Sequence, residues 1–275
     1  MRIARTGVAT IALLVAPVTL AAQVQPAGAA WNVRYDVPAG WRTAQDVGRL
    51  RVLEGPEGSS LYVGPGAYTT TDEAVKDLSA FLSTLGIVGQ PMSPPVQSRV
   101  ANMPALSMTL QLRDRTDRDL RAVYTCVISP HGTGLNLLGV AAPQQLEQTR
   151  ASADKLLATL VMGAPVLNQT LMQAIGGKWT LYSGSSDRGG SGSISTGHDE
   201  TVEFDGRGRF AWQSSSYTSG SVSGTSVTGD SQQADAGSYS IIGNTLIFRG
   251  RTGTLAVDFT YDAHHLSAGG RTFIR

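Results

Sequence analysis

Apolar positions along the chain keep two different rhythms, and the change falls near residue 163. Before it, strand and helix periods alternate. Short apolar runs at Leu50–Glu54 and Leu61–Val63 flank the turn Gly55-Pro56-Glu57-Gly58. Thr70 with Glu73 makes a capping box, and Ala74, Leu78, Phe81, Leu82 and Leu85 follow at helical spacing until Gly86 stops them. Four strand-like runs come next: Val96–Ala101, Ala105–Leu112, Leu120–Ser129 and Leu135–Ala141. A second helix is predicted to start near Pro143, with Leu146, Ala153, Leu156, Leu157, Leu160 and Val161 on one face. The pattern predicts an α+β domain over residues 31–162, an antiparallel sheet covered by helices.

Gly163-Ala164-Pro165 interrupts that pattern, and a short amphipathic stretch, Leu167–Ile175, leads into a region of period two. Its last run is the cleanest, with Leu255, Val257, Phe259 and Tyr261 opposing Ala256, Asp258, Thr260 and Asp262. Asp205-Gly206 and Gly243-Asn244 are hairpin signals. About seven strands in a meander across residues 167–275 predict an all-β, closed up-and-down barrel. Trp179, Phe204, Trp212, Phe248, Phe259 and Tyr261 share the inward face and are the candidate ligand-binding residues. That face is rich in bulky aromatics, so a lumen filled by its own side chains stays an alternative. Eleven of the 15 residues in 183–197 are Ser or Gly, and 14 of the 18 in 214–231 are Ser, Thr or Gly. Such stretches are expected to be flexible loops at one mouth of the barrel.

Two resemblances follow from particular residues. The opening Tyr35-Asp36-Val37-Pro38-Ala39-Gly40-Trp41, the helix after the third strand, and the closing hairpin plus helix resemble the PsbP/Mog1-like family. That resemblance covers residues 31–162 and implies a binding or assembly module without shared catalytic residues. Gly177-Lys178-Trp179 after a short helix is similar to the start of a lipocalin-like barrel. It implies a small apolar ligand in the lumen and a late arginine, Arg271 or Arg275, packed on Trp179.

Other features restrict compartment and chemistry. Arg2 and Arg5 precede the apolar stretch Thr10–Leu20, and small residues follow, so residues 1–22 read as a cleaved signal peptide. Export to the periplasm or cell envelope is the expectation, with no later segment able to span a membrane as a helix. The formal net charge is +1, from 22 Lys+Arg against 21 Asp+Glu, and no basic run occurs, which argues against a nucleic-acid partner. Cys126 is the one cysteine and is expected to be a buried structural thiol.

Catalytic signatures are absent: no Gly-x-Ser-x-Gly elbow, no phosphate-binding loop, no HExxH and no CxxC. His198-Asp199-Glu200 reads as a polar strand start, because His198 and Asp199 point to opposite faces. His131, His264 and His265 are the candidate metal ligands, placed by the expected topology at a joint between the two domains. Copper is the metal such an all-imidazole set suits, with superoxide-dismutase-like redox chemistry as the enzymatic alternative. The leading expectation is non-enzymatic. It is an exported envelope protein that binds a small apolar ligand or docks an envelope protein complex.

Overall fold

The computed structural model describes residues 29–47, 49–113, 119–189, 192–222 and 225–275, so the expected signal peptide at 1–22 lies outside the described residues. In chain order the first part comprises β1 (Val33–Arg34), β2 (Arg42–Val47), β3 (Leu50–Glu54), β4 (Ser60–Gly66), α1 (Thr71–Thr84), β5 (Val88–Pro91), β6 (Val96–Val100), β7 (Met103–Arg113), β8 (Asp119–Ile128), β9 (Gly134–Ala141), α2 (Leu146–Ala158) and β10 (Val161–Met162). Strands β2 to β9 form one antiparallel sheet, ordered β2-β3-β4-β9-β8-β7-β5, with β6 also paired to β7.

Each face of this sheet takes one helix. Ala74, Leu78, Phe81 and Leu82 of α1 pack on Met108, Leu110, Tyr124 and Leu138. Ala153, Leu156 and Leu157 of α2 pack on Leu61, Val123, Leu135 and Leu137. Burial on both faces explains why every residue of β9 is buried, where a one-sided sheet would alternate. At the start of α1 the Thr70 hydroxyl accepts from the Glu73 N–H at 3.2 Å. The Glu73 carboxylate turns back one residue further than a capping box requires, to the N–H and hydroxyl of Thr69 at 2.7 and 2.8 Å.

The second part comprises α3 (Gln169–Ala174), β11 (Gly177–Gly189), β12 (Gly192–Phe204), β13 (Arg209–Val222), β14 (Thr225–Ile242), β15 (Thr245–Gly250), β16 (Gly253–Tyr261), β17 (His265–Ala268) and β18 (Arg271–Ile274). These eight strands form a closed antiparallel barrel in sequence order, with β18 returning to β11. The fold class is α+β, a helix-covered antiparallel sheet followed by an up-and-down barrel.

One expectation is overturned. The described residues of the two Ser/Gly-rich stretches are strands: β11 pairs with β12 from Gly177–Phe204 to Gly189–Gly192, and β13 pairs with β14 from Arg209–Ser238 to Val222–Thr225. They carry β11 to β14 beyond the barrel wall as a four-stranded extension. Small residues do not forbid the ladder, and hydroxyl pairs such as Ser185–Thr196 (2.9 Å) and Ser216–Ser231 (2.7 Å) tie neighbouring strands.

The outward face of the β15–β16 hairpin joins the two parts. Ile247 and Ala256 stand opposite each other in register and enter the apolar cluster that holds Trp31, Val33 and Leu160. Around them, Arg249 donates to the Gly132 carbonyl at 2.6 Å, and the Thr254 hydroxyl donates to Glu73 at 3.1 Å. Arg49 pairs with Asp258 at 3.5 Å. Ile247 is fully buried at this joint. Truncation in Ile247→Ala is therefore expected to destabilise the protein by about 2–4 kcal/mol, read by chemical denaturation. An unchanged midpoint would show that the joint is not packed in solution.

Candidate functional site

The barrel is closed at one end by α3. This helix has 6 residues, too few to hold itself in water, and Asn168 caps it by accepting from the Leu171 N–H at 3.0 Å. Its unpaired C-terminal carbonyls are taken by ring donors from the barrel. The Tyr239 hydroxyl donates to Met172 at 2.9 Å, the Tyr261 hydroxyl to Ala174 at 3.1 Å, and the Trp179 indole N–H to Ile175 at 2.8 Å. Arg275 donates to the Gly176 carbonyl, and its guanidinium lies 4.6 Å from the Trp179 ring centroid. Of the two arginines considered for that place, Arg275 occupies it. Gly177 has φ +120°, a conformation that suits glycine and turns the chain from the plug into β11.

Above the plug lies a cavity of about 710 Å³. Its volume is that of a small-molecule site. Phe204, Trp212 and Phe248 line it, as the inward pattern predicted. Phe204 and Phe210 pack on Phe248 with ring centroids 5.9 and 4.9 Å away, which makes an aromatic floor. Trp179, Phe259 and Tyr261 do not reach the cavity. They belong to the packed base, with Trp179 edge-on to Tyr261 at 5.9 Å. Alternation assigns the face but not the height, and the plug helix fills the lower lumen.

The upper wall carries the polar group that sequence reasoning passed over. Glu200 is only 4% exposed. Its carboxylate accepts from the Trp212 indole N–H at 2.6 Å and from Arg271 Nη1 at 2.6 and 2.9 Å. His198 Nε2 stands 3.5 Å away. The spacing of His198 and Glu200, two apart on one strand, places both inward. That spacing is readable in the sequence, where His198 and Glu200 share a face that Asp199 does not. Nothing local marks Arg271, which reaches Glu200 from the far end of the chain. Its side chain remains 57% exposed, so the guanidinium sits at the mouth with Nε and Nη2 free of the Glu200 contact.

Asp235 fastens the rim. It accepts from the Arg251 N–H at 2.9 Å and the Thr252 hydroxyl at 2.8 Å, tying the tip of the β15–β16 hairpin to β14. Those hydrogen bonds, led by the Arg251 N–H, hold its carboxyl down at about 2. Room for the latch depends on two glycines. A Cβ on Gly250 would stand 2.2 Å from the Asp235 carboxylate, and one on Gly237 would stand 2.0 Å from the Arg249 carbonyl oxygen.

The three candidate metal ligands are not brought together. His131 adjoins Gly132, whose carbonyl meets Arg249, and Arg249 pairs with Thr254 near the tip of the β15–β16 hairpin. His264 and His265 lie past the other end of β16, beyond Tyr261. Seven strand residues at ~3.3 Å each put roughly 23 Å between the two places. The linker enters the barrel at the end of the His264-His265 turn, as expected, with Leu167 bridged to Ile242, and it is His131 that lies at the opposite end. His265 instead turns its Nδ1 to Asp262, 3.1 Å from each carboxylate oxygen. Among the described residues, no three His, Cys, Asp or Glu side chains are grouped to hold a metal ion. Cys126 is fully buried, and burial pushes its thiol up to about 11, away from thiolate chemistry.

Comparison with known proteins gives little. No family model matches the chain. No curated protein matches it either. Among solved structures it is similar to the solution structure of cyanobacterial PsbP (CyanoP) from Synechocystis sp. PCC 6803, at 10% identity and a TM-score of 0.40, over 54% of this chain and 96% of that one.

Two outcomes follow. Trp179→Phe keeps the apolar body but strands the Ile175 carbonyl, and is expected to lower stability by about 1–3 kcal/mol, seen as a lower thermal midpoint. The Asp235 carboxyl is depressed in the folded state, so its contribution is complete above the ordinary value of 3.8 and is lost as the pH falls towards 2. Asp235→Asn should therefore melt below the parent at neutral pH, with the gap closing between pH 4 and 2. A gap that stays constant down to pH 2 would mean that the latch does not form.

Proposed function

We propose that this protein is a non-catalytic binding module that holds a small amphipathic carboxylate in its barrel, and that it works outside the cytoplasm. The observation that carries the reading is the arginine at the mouth. Arg271 is fixed by the buried Glu200 through a single nitrogen, which leaves a planar donor edge above an apolar, aromatic-floored cavity. A guanidinium so held is preorganised for a second carboxylate, and charge-assisted hydrogen bonds of this kind are among the stronger ones. The ligand's apolar body packs on Phe204, Phe210 and Phe248, and its head remains at the rim with Arg271, Gln233 and Thr252.

Export is inferred from the basic residues Arg2 and Arg5 ahead of Thr10–Leu20. No helix among the described residues is long and apolar enough to cross a membrane.

The test compares dodecanoate with dodecanol by titration, using the indole fluorescence of Trp212, which abuts Glu200. Dodecanoate is expected to bind at least tenfold more tightly than dodecanol. Arg271→Gln is expected to erase that preference while leaving dodecanol binding in place. Equal affinity for acid and alcohol in the parent protein would reject the head-group assignment. Failure of both to bind would reject the ligand-holding barrel.

A further inference from the structure

The charges at the barrel mouth cancel. Glu200, Asp235 and Arg271 line the cavity, and Arg251 faces Asp235 at 3.6 Å, so two carboxylates meet two guanidiniums. The Asp235 carboxyl, held down at about 2 by its hydrogen bonds, stays ionised at neutral and mildly acidic pH. Among the described residues around Glu200, His198 is the one whose side-chain type changes charge near neutral pH. Its Nε2 lies 3.5 Å from Glu200 Oε2, the same oxygen that Arg271 Nη1 meets at 2.6 Å. The His198 side chain is 38% exposed, so solvent protons reach it.

Its surroundings hand that charge to the mouth. His198 stands opposite Ser183 of β11 and Ser216 of β13, both neutral, and its neighbour Asp199 points to the other face. Among the described side chains, the charged groups that face it are Glu200 and, through Glu200, Arg271. With a neutral imidazole, Glu200 offsets Arg271, and an arriving anion meets a mouth without net charge. With an imidazolium, Glu200 is shared between two cations, and the mouth holds one positive charge in excess. Charges this close, partly withdrawn from water, are felt more strongly than in bulk solvent.

We infer that His198 is a positioning residue that sets how tightly the barrel grips an anionic head group, tightening the grip as the imidazole gains a proton. This rests on the head-group reading above and deepens it. The cavity then loads in mildly acidic surroundings and releases in mildly alkaline ones.

Titration with dodecanesulfonate isolates the protein's own proton, because that head group stays ionised throughout. The parent protein is expected to bind it about threefold or more tightly at pH 5.5 than at pH 8, with a smaller difference at high salt and none for dodecanol. His198→Gln, polar but never charged, should bind the sulfonate at both pH values as the parent does at pH 8. His131→Gln, altered on the outer side of the β15–β16 hairpin beside Gly132, should keep the parent's response. Linkage requires the reverse effect in the parent. Seating the sulfonate draws a proton onto His198, measured as proton uptake when titrations near pH 6.5 are repeated in buffers of different ionisation enthalpy. A sulfonate preference over dodecanol that is equal at both pH values would overturn the inference and leave the head-group reading standing. So would a pH response that survives in His198→Gln, or the absence of proton uptake by the parent. No preference for the sulfonate at either pH, or no binding of either probe, would overturn both.

Discussion

Three ring donors and one short helix set the geometry of the barrel. The carbonyls of Met172, Ala174 and Ile175 would be left without partners inside an apolar base. The hydroxyls of Tyr239 and Tyr261 and the indole of Trp179 satisfy them. Each donor comes from a different strand, so a single plug fixes β11, β14 and β16 at one height. Everything above that height is free to be cavity. Everything below it is packed, which is why half of the inward aromatic set is structural.

A second constraint is the two-residue period of the β15–β16 hairpin. Leu246, Phe248, Leu255 and Val257 face the lumen, whereas Ile247, Arg249, Thr254, Ala256 and Asp258 face the helix-covered sheet. A hairpin with two loyalties cannot slip its register without ruining both. Asp235 holds its tip, and Thr252, Gly253 and Leu255 line both the barrel cavity and a second cavity of about 450 Å³ against the first part. The floor of that second cavity is polar but internally satisfied. Tyr68 and Tyr124 both donate to the Asn136 side-chain oxygen, and Asn136 turns its amide to Asp77. Burial raises the Asp77 carboxyl from its ordinary value, in keeping with a group enclosed between the two parts.

Much of the fold was legible because its signals are local. The Thr70–Glu73 cap, the spacing of Leu78, Phe81 and Leu82, and the strict alternation from Leu255 to Tyr261 each specify an element on their own. Gly177 and Trp179 marked the start of the barrel for the same reason. The Ser/Gly-rich strands run against their composition, because composition reports the preference of a single segment. Their order comes from four segments pairing along their full length, and only neighbouring strands supply that.

The sequence alone therefore determined the two-part plan, the sheet with its covering helices, the meandering barrel, and which side chains point inward. Alternation and helical spacing are properties of the chain itself. Only the tertiary structure decided how deep each inward residue lies, which arginine packs on Trp179, and that Glu200 meets Arg271. It also decided that His131 lies a strand's length from His264 and His265. Those outcomes depend on the plug helix and on the closing of β18 against β11, contacts between residues far apart in sequence whose distances no local period encodes.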